Sequence, residues 1–154
     1  MKIGLVFSKT EEGKLTSNGD YVSWLNSFAS SVVIIDPTEE RLQDIDLLVI
    51  PGGSDISPSK YGGTYRPEWN ISLPNRSLEF FDDVVLPQYI EKGQRIFGIC
   101  RAMQAIWVHY GGKLIPHVDE PTSAYEDQAA HFVYYNNKFF KSGSFHHQAV
   151  NHQD

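Results

Sequence analysis

The sequence is short of cysteine, of long apolar runs and of positive charge. Cys100 is the only cysteine among 154 residues, so no internal disulfide can form and no cysteine pair is present for a zinc ribbon. No apolar run approaches the length that spans a membrane, and residues 1–8 are too short and too soon interrupted by charge to act as a signal peptide. We therefore expect a cytoplasmic protein.

The formal net charge of -6 disfavours partners that bind through a positive field. Nucleic acid and anionic membrane surfaces both require such a field, so we expect neither as a partner. A small phosphorylated substrate is still compatible with this charge. The hydrophobic share of 41% and the aromatic share of 13% are typical of a globular protein. A chain of this length forms one domain that buries roughly 70% of its unfolded surface.

Apolar runs alternate with stretches of helical periodicity along the first two thirds of the chain. Near-continuous runs of this kind are typical of strands that are buried on both faces. The alternation predicts a parallel sheet covered by helices on both sides. The predicted strands are residues 2–8, 31–36, 47–50 and 95–99, and the predicted helices are residues 18–29, 78–91 with an interruption at Pro87, and 101–110.

Two further regions differ from this alternation. Residues 55–77 are polar, with several Gly, Pro and Tyr residues and weak periodicity, and loops of this length are usually functional. Residues 113–118 and 132–140, the latter around an Asn136-Asn137 turn, are typical of extended hairpin structure. We therefore expect the sheet to be partly antiparallel.

Cys100 lies where the fourth strand is expected to meet a helix. The order Gly98-Ile99-Cys100-Arg101-Ala102 places small residues on both sides of the thiol, as a nucleophile elbow requires. Ligands collect at the carboxyl ends of parallel strands, where the Pro51-Gly52-Gly53 turn is also expected. Amides at the start of the helix would favour a thiolate and negative charge on a substrate oxygen. We favour a nucleophile over a buried packing cysteine.

Three segments carry a resemblance to a known family. They are PGGSDISPSKYG at 51–62, GICRAMQAIWVHYGGKLIPHV at 98–118 and SGSFHHQAV at 142–150. They resemble the signatures of the class I glutamine amidotransferases, and more narrowly of the γ-glutamyl hydrolase branch that includes γ-glutamyl-γ-aminobutyrate hydrolase. The resemblance implies an α/β domain over 1–154, a flavodoxin-like three-layer sandwich whose mostly parallel sheet has an antiparallel extension.

The resemblance also implies a Cys-His-Glu triad that cleaves a γ-glutamyl amide through a thioester, without a cofactor or a metal ion. It gives no firm role to His147 or Gln148. The matched positions are Cys100 as the nucleophile, backbone N–H groups of Arg101 and of Gly52 or Gly53 as the oxyanion hole, Gln104 as a contact to the glutamyl group, and Ser144, Phe145 and His146 as the segment whose backbone receives the α-amino and α-carboxylate groups.

The sequence departs from the family in two ways. Ala102 stands where the family usually has glycine, and no His-x-Glu pair occurs anywhere in the chain. Two pairs have the spacing of a base and its carboxylate: His117 with Asp119, and His152 with Asp154. A triad is defined by geometry rather than spacing, so we assign neither pair to it. We expect the domain to lack its C-terminal part; a catalytically defective relative and a site completed by a second chain are the alternatives.

Three functions are compatible with these features. The first is hydrolysis of a γ-glutamyl amide, in which Cys100 attacks the carbonyl, the amine leaves and water frees glutamate. The second is a glutaminase subunit that supplies ammonia to a partner synthase, and the third is a non-catalytic γ-glutamyl-binding relative. A small-molecule substrate is expected in the first case, and a synthase partner or a homo-oligomer stays open.

The polar segment at residues 55–77, the long loop, favours a leaving group larger than ammonia. Arg66 and Arg76 could contact an acidic or phosphorylated amine in two-point geometry, and the alternative is that both are ordinary surface arginines. Aromatic side chains supply contact area. One specific substrate of this kind is a nucleotide-linked glutamine, such as the γ-glutamyl-CDP-amidate hydrolysed in making capsular phosphoramidate. The residues expected to contact the leaving group are Arg101, Tyr61, Tyr65, Arg66 and Trp69.

Overall fold

The computed structural model of the protein describes residues 1–16, 19–69, 71–118, 130–143 and 146–151. Strands and helices alternate through its first 110 residues, as predicted, and short strands follow. In chain order the strands are β1 (Lys2–Val6), β2 (Ser8–Lys9), β3 (Leu15–Thr16), β4 (Ser31–Ile35), β5 (Leu47–Ile50), β6 (Ile96–Gly98), β7 (Leu114–Ile115), β8 (Ala130–Tyr135), β9 (Lys138–Gly143) and β10 (Ala149–Val150), and the helices are α1 (Gly19–Asn26), α2 (Arg76–Phe80), α3 (Leu86–Glu91) and α4 (Arg101–His109).

The central sheet has four parallel strands in the order β4-β1-β5-β6. Taken in chain order, the second strand lies outside the first and the third lies on its other side, which is the flavodoxin-like order. The order reverses between β1 and β5, and ligands of such sheets bind outside the carboxyl ends of the strands at this point. The predicted α/β fold class is confirmed.

Both faces of the sheet are buried, which explains the near-continuous apolar runs. On one face Ile3, Leu5 and Val49 pack against Leu25 of α1. On the other face a larger cluster packs against the helix that begins at Arg76 and against α4. Its fully or almost fully buried members from the sheet and the helices are Val6, Ile35, Leu48, Ile50, Phe81, Val85, Leu86, Tyr89 and Ala102. The molecule therefore has three layers.

The helix between β5 and β6 differs from its prediction at both its start and its proline. It begins at Arg76 rather than near Leu78, because the Asn75 side chain accepts hydrogen bonds from the amides of Ser77 and Leu78. Proline lacks an N–H and clashes with the carbonyl four residues before it. A widened turn with i→i+5 hydrogen bonds, Phe81–Val85, precedes Pro87, so the helix continues to Glu91 without a break.

The hairpin predicted around Asn136-Asn137 is confirmed, and the described antiparallel strands pair with one another instead of joining the central sheet. Within the described ranges, the antiparallel strands form separate two-stranded ladders: β2 with β3, β7 with β10, and β8 with β9. Asn136 and Asn137 join β8 to β9 with φ of 48° and 59°, as a two-residue hairpin turn requires. No helix in the described part of the chain is long and apolar enough to cross a membrane.

Leu86 tests the contribution of the large core cluster. Leu86→Ala removes a side chain that is 1% exposed, and we expect it to lower the free energy of unfolding by about 2–5 kcal/mol because a cavity remains. Leu73→Ala is the matched control, since Leu73 is 88% exposed and its truncation should change stability by less than about 0.5 kcal/mol. Urea unfolding of both variants measures the difference, and equal losses would contradict this placement of the core.

Candidate functional site

Cys100 occupies a strained turn between β6 and α4. Its φ of 53° and ψ of -112° lie outside the regions that non-glycine residues normally adopt, and its side chain is exposed. On the strand side, the Ile99 amide donates to the Ile50 carbonyl at 3.0 Å, and on the helix side the Ala102 amide donates to the Ile99 carbonyl at 3.1 Å. The backbone therefore has the strand, sharp turn and helix of a nucleophile elbow.

The small residues beside Cys100 make this turn possible. A Cβ atom at Gly98 would lie 2.9 Å from the amide nitrogen of Met103 and 3.0 Å from the carbonyl carbon of Ala102, both of which are backbone atoms. No larger residue fits there without moving the helix. Ala102 is 1% exposed and belongs to the large core cluster, so its methyl group is accommodated where the family usually has glycine.

The Gly52-Gly53 turn after β5 lies directly against the elbow, as predicted. Gly98 pairs with Ile50, so the carboxyl ends of β5 and β6 are neighbours. A Cβ atom at Gly52 would lie 3.5 Å from Cβ and 3.9 Å from Sγ of Cys100. The Arg101 amide is the first of α4, and first-turn amides have no acceptor inside their own helix. The oxyanion hole assigned to these amides stays a prediction.

The Arg101 side chain is not directed at a substrate. Its Nη1 and Nη2 donate to the two carboxylate oxygens of Asp82 at 3.0 and 2.5 Å, and its Nε donates to the Ser54 carbonyl at 3.1 Å. The side chain is 3% exposed. The expectation that Arg101 grips a leaving group is therefore wrong, because its guanidinium group is buried and used in these three bonds. Arg101 instead joins the start of α4 to the Gly53-Ser54 turn and to the widened helical turn.

Gln104, the predicted contact to the glutamyl group, connects α4 to the third signature segment. It is buried, and its Nε2 donates to the backbone carbonyl of Gln148 at 2.7 Å. The Nδ1 atom of His146 lies 3.1 Å from the same carbonyl oxygen. Ser144 and Phe145 lie outside the described residues. The substrate-binding roles of Gln104, Ser144, Phe145 and His146 stay predictions.

The sequence analysis assigned no firm role to Gln148. In the structure its side chain forms hydrogen bonds to Ile56 and Tyr61. Its side chain is 1% exposed. Its Oε1 accepts from the Ile56 amide at 2.9 Å, and its Nε2 donates to the Ile56 carbonyl at 2.8 Å and to the Tyr61 hydroxyl at 3.2 Å. The signal that could have identified it is a polar amide side chain directly before the apolar strand Ala149–Val150.

Tyr61 is held in its neutral form at this point. Burial, the largest cause, and the nearby carboxylate of Asp55 together raise the pKa of Tyr61 to about 12, although the hydrogen bond from Gln148 partly opposes them. The hydroxyl therefore stays protonated at physiological pH. It was expected to contact a leaving group, but its oxygen is bonded to Gln148 and its side chain is 7% exposed.

Asp55 and His147 form a second connection between the long loop and the third signature. The Oδ2 atom of Asp55 accepts from the amide and the hydroxyl of Ser72 at 2.8 and 2.9 Å, and it lies 3.7 Å from Nδ1 of His147. The ring of His147 lies 5.5 Å from the ring of His117. His117 thus belongs to this cluster, whereas Asp119, its possible carboxylate partner by spacing, lies outside the described residues.

The cluster extends into the loop through aromatic contacts. The ring of His117 is nearly parallel to that of Trp69 at a centroid distance of 6.4 Å, and the Arg66 guanidinium carbon lies 5.1 Å from the Trp69 ring. Arg66 and Tyr65 are exposed. In the part of the chain that the structure describes, no group of three or more His, Cys, Asp and Glu side chains could hold a metal ion.

Comparison with known proteins agrees with the site. The sequence profile described as Peptidase C26 matches residues 7–154. The chain belongs to the peptidase C26 family. Membership in this family of class I glutamine amidotransferase-like proteins confirms the broader resemblance, and the γ-glutamyl hydrolase branch stays a prediction.

Individual relatives of this peptidase C26 protein are named as glutamine amidotransferases or as similar to them. A relative in Rickettsia prowazekii is 38% identical over 86 residues, which are 55% of this chain and 30% of the relative. One in Lactococcus lactis is 27% identical over 154 residues, 84% of this chain and 63% of the relative. One in Mycobacterium tuberculosis is 33% identical over 79 residues, 51% of this chain and 25% of the relative. The chain thus matches less than two thirds of the length of each of the three.

Removal of one charge from the buried Arg101–Asp82 pair should destabilise the fold strongly. Asp82→Asn leaves a buried guanidinium group without its counter-charge, and we expect a loss of about 3–5 kcal/mol in the free energy of unfolding. Asp83→Asn is the control, because Asp83 pairs with Lys60 but its side chain is 62% exposed, and exposed pairs contribute about 0–1 kcal/mol. Denaturant unfolding of both variants checks this, and equal effects would contradict a structural role for the pair.

The strain at Cys100 predicts an unusual order of stabilities. Cys100→Gly relieves the positive φ, whereas Cys100→Ala retains a Cβ atom and the strain. We expect the free energy of unfolding of the glycine variant to exceed that of the alanine variant by about 1 kcal/mol. Such strain costs about 1–3 kcal/mol, and part of the gain is lost because glycine makes the unfolded chain more flexible. Denaturant unfolding of both variants measures the difference. An alanine variant that is as stable as the glycine variant would show that the turn is relaxed.

Proposed function

We propose that this peptidase C26 protein cleaves a γ-glutamyl amide through a γ-glutamyl thioester on Cys100. The observation that carries the proposal is the exposed thiol on a strained turn, with the Gly52 turn on one side and the first amide of α4 on the other. The family supports amide hydrolysis or amide transfer in general. The γ-glutamyl specificity rests on the three signature segments.

The chemistry begins with the thiolate. The Sγ atom of Cys100 attacks the γ-carbonyl carbon, the carbonyl oxygen becomes an oxyanion, and collapse of this intermediate breaks the C–N bond and leaves a thioester. We assign stabilisation of this negative charge to backbone amides of Arg101 and of Gly52 or Gly53. Removing one such donor typically lowers the rate about 10²–10³-fold, so the position of the Gly52 turn should strongly affect the rate of the reaction.

The second half of the reaction needs groups that the sequence does not supply in the familiar pattern. The amine leaves with a proton, and a base must activate the water that attacks the thioester. In the resembling family both tasks belong to the His of a His-x-Glu pair, and this sequence contains none. The lack of this base should slow both steps in the 154-residue chain, and hydrolysis of the thioester more than its formation, because water needs the base for activation whereas a cysteine thiol is already a strong nucleophile.

The leaving group is the finer part of the proposal. The exposed Arg66 over the Trp69 ring places a cation and an aromatic side chain on the long loop, which favours an amine larger than ammonia. The narrowest form of the proposal is a nucleotide-linked phosphoramidate of capsule biosynthesis, whose negative charge Arg66 could meet. A glutaminase subunit that supplies a synthase, and a binding protein without turnover, are the alternatives.

Covalent labelling tests the nucleophile. A glutamine analogue with a chloroketone in place of its amide should add to the protein once, at Cys100, and about 100-fold faster than chloroacetone, because the glutamyl group positions it. Mass spectrometry identifies the site without ambiguity, since the chain has a single cysteine. The Cys100→Ala variant should take up no label.

Three further results distinguish the alternatives. Release of glutamate by the Cys100→Ala variant would overturn the assignment of the nucleophile. A protein that is labelled by the analogue but forms no thioester from any γ-glutamyl amide is a binding protein instead. Thioester formation from glutamine at a rate equal to that from γ-glutamyl amides of larger acidic amines would favour the glutaminase subunit.

A further inference from the structure

We infer that Gln148 is a positioning residue that sets the distance between the Gly52 turn and the Cys100 thiol. The inference rests on the proposed function, because it concerns the oxyanion hole of that reaction. Gln148 itself lies beyond the elbow and is 1% exposed, so it is not a contact for the reacting atoms. Its role follows from the hydrogen bonds of two groups, its side-chain amide and its backbone carbonyl.

The side-chain end holds the loop that follows β5. Both backbone groups of Ile56 bond to the Gln148 amide, at 2.9 Å through the N–H and 2.8 Å through the carbonyl. This pairing copies the two-point contact between neighbouring strands, and it is sealed from water because Ile56 is also 1% exposed. The Tyr61 hydroxyl, at 3.2 Å, adds a third bond to the same loop. Ile56 is four residues from Gly52, so its position limits where the turn can lie.

The backbone end holds the helix that carries the nucleophile. The Gln148 carbonyl accepts from Nε2 of Gln104 at 2.7 Å. Gln104 is one helical turn from Cys100, and its own amide donates to the Cys100 carbonyl at 3.3 Å. Gln148 therefore closes a ring that runs from Cys100 along α4 to Gln104, through Gln148 to Ile56, and along the loop to Gly52, which lies beside Cys100.

The segment that carries Gln148 is itself held in place by backbone hydrogen bonds. β10, which follows Gln148, pairs with β7, and the Val118 amide donates to the His147 carbonyl at 3.0 Å. The segment around Gln148 is thus tied to the end of the second signature as well. A displacement of about 1 Å in a catalytic arrangement can cost roughly 10²-fold in rate, so a ring of short bonds is an effective constraint on the oxyanion hole.

The test compares two reactions of the same thiol. With γ-glutamyl p-nitrophenyl ester, the thiolate attacks the ester carbonyl, an oxyanion forms, the C–O bond breaks and nitrophenolate leaves, which requires no proton donor. With iodoacetamide, the thiolate displaces iodide from a saturated carbon and no oxyanion forms. A positioning role for Gln148 affects the first reaction, whereas a general loss of structure or of thiol reactivity affects both.

Gln148→Met keeps the volume and removes all three side-chain bonds. We expect it to lower the rate of the nitrophenolate burst about 100-fold, in line with the loss of one oxyanion donor, and to leave the rate of alkylation within about threefold. Gln88→Met is the matched control, since the Gln88 side chain also bonds to a backbone carbonyl, that of Val84 at 2.8 Å, but in α3 and away from the ring. It should change neither rate.

Each outcome decides between the claims. A Gln148→Met burst at the wild-type rate, or a parallel fall in both reactions, overturns the positioning role while the proposed function stands. A wild-type chain without any burst overturns the proposed function, and the inference with it. If Gln148→Met does not fold, Tyr61→Phe decides, because loss of the hydrogen bond between Tyr61 and Gln148 should slow the burst by about 3–10-fold and leave alkylation unchanged; an unchanged burst would overturn the inference.

Discussion

The parallel pairing of β5 with β6 is the constraint on which the rest of the site depends. It places Ile50 opposite Gly98, so the chain leaves both strands at the same edge and the Gly52 turn meets Cys100. The predicted oxyanion hole needs both segments, because the Arg101 amide lies beside the thiol after β6 and the second amide comes from the Gly52-Gly53 turn after β5. The burial of both faces of the sheet stabilises this pairing, and the strain at Cys100 is supported by the packed elements around it.

The elements around the site differ in the range of their contacts. The elbow is local: its strand, turn and helix lie between Ile96 and His109, and Gly98 allows them to approach. The surrounding bonds are long-range, since Arg101 reaches Ser54 across 47 positions and Gln148 reaches Ile56 across 92. Local sequence thus shapes the thiol's turn, while distant segments determine what faces it.

This difference explains what could be predicted from the sequence. The order of strands and helices and the elbow at Cys100 follow from apolar runs and small flanking residues, which are local signals. The start of the helix at Arg76 depends on one side-chain cap from Asn75, which periodicity does not show. The partners of Arg101 and Gln148 could not be predicted, because a buried ion pair or amide contact has no signature until the chain is folded.

The bond between Gln148 and Ile56 has a consequence for the time at which the protein becomes reactive during its synthesis. The first 110 residues contain the whole central sheet and the thiol's turn, so these parts leave the ribosome well before residue 148. Until then the loop after β5 lacks its hydrogen bonds to Gln148. If Gln148 positions this loop as we infer, a nascent chain carries an exposed thiol before the proposed oxyanion hole is aligned, and alignment comes only when the segment around residue 148 has folded.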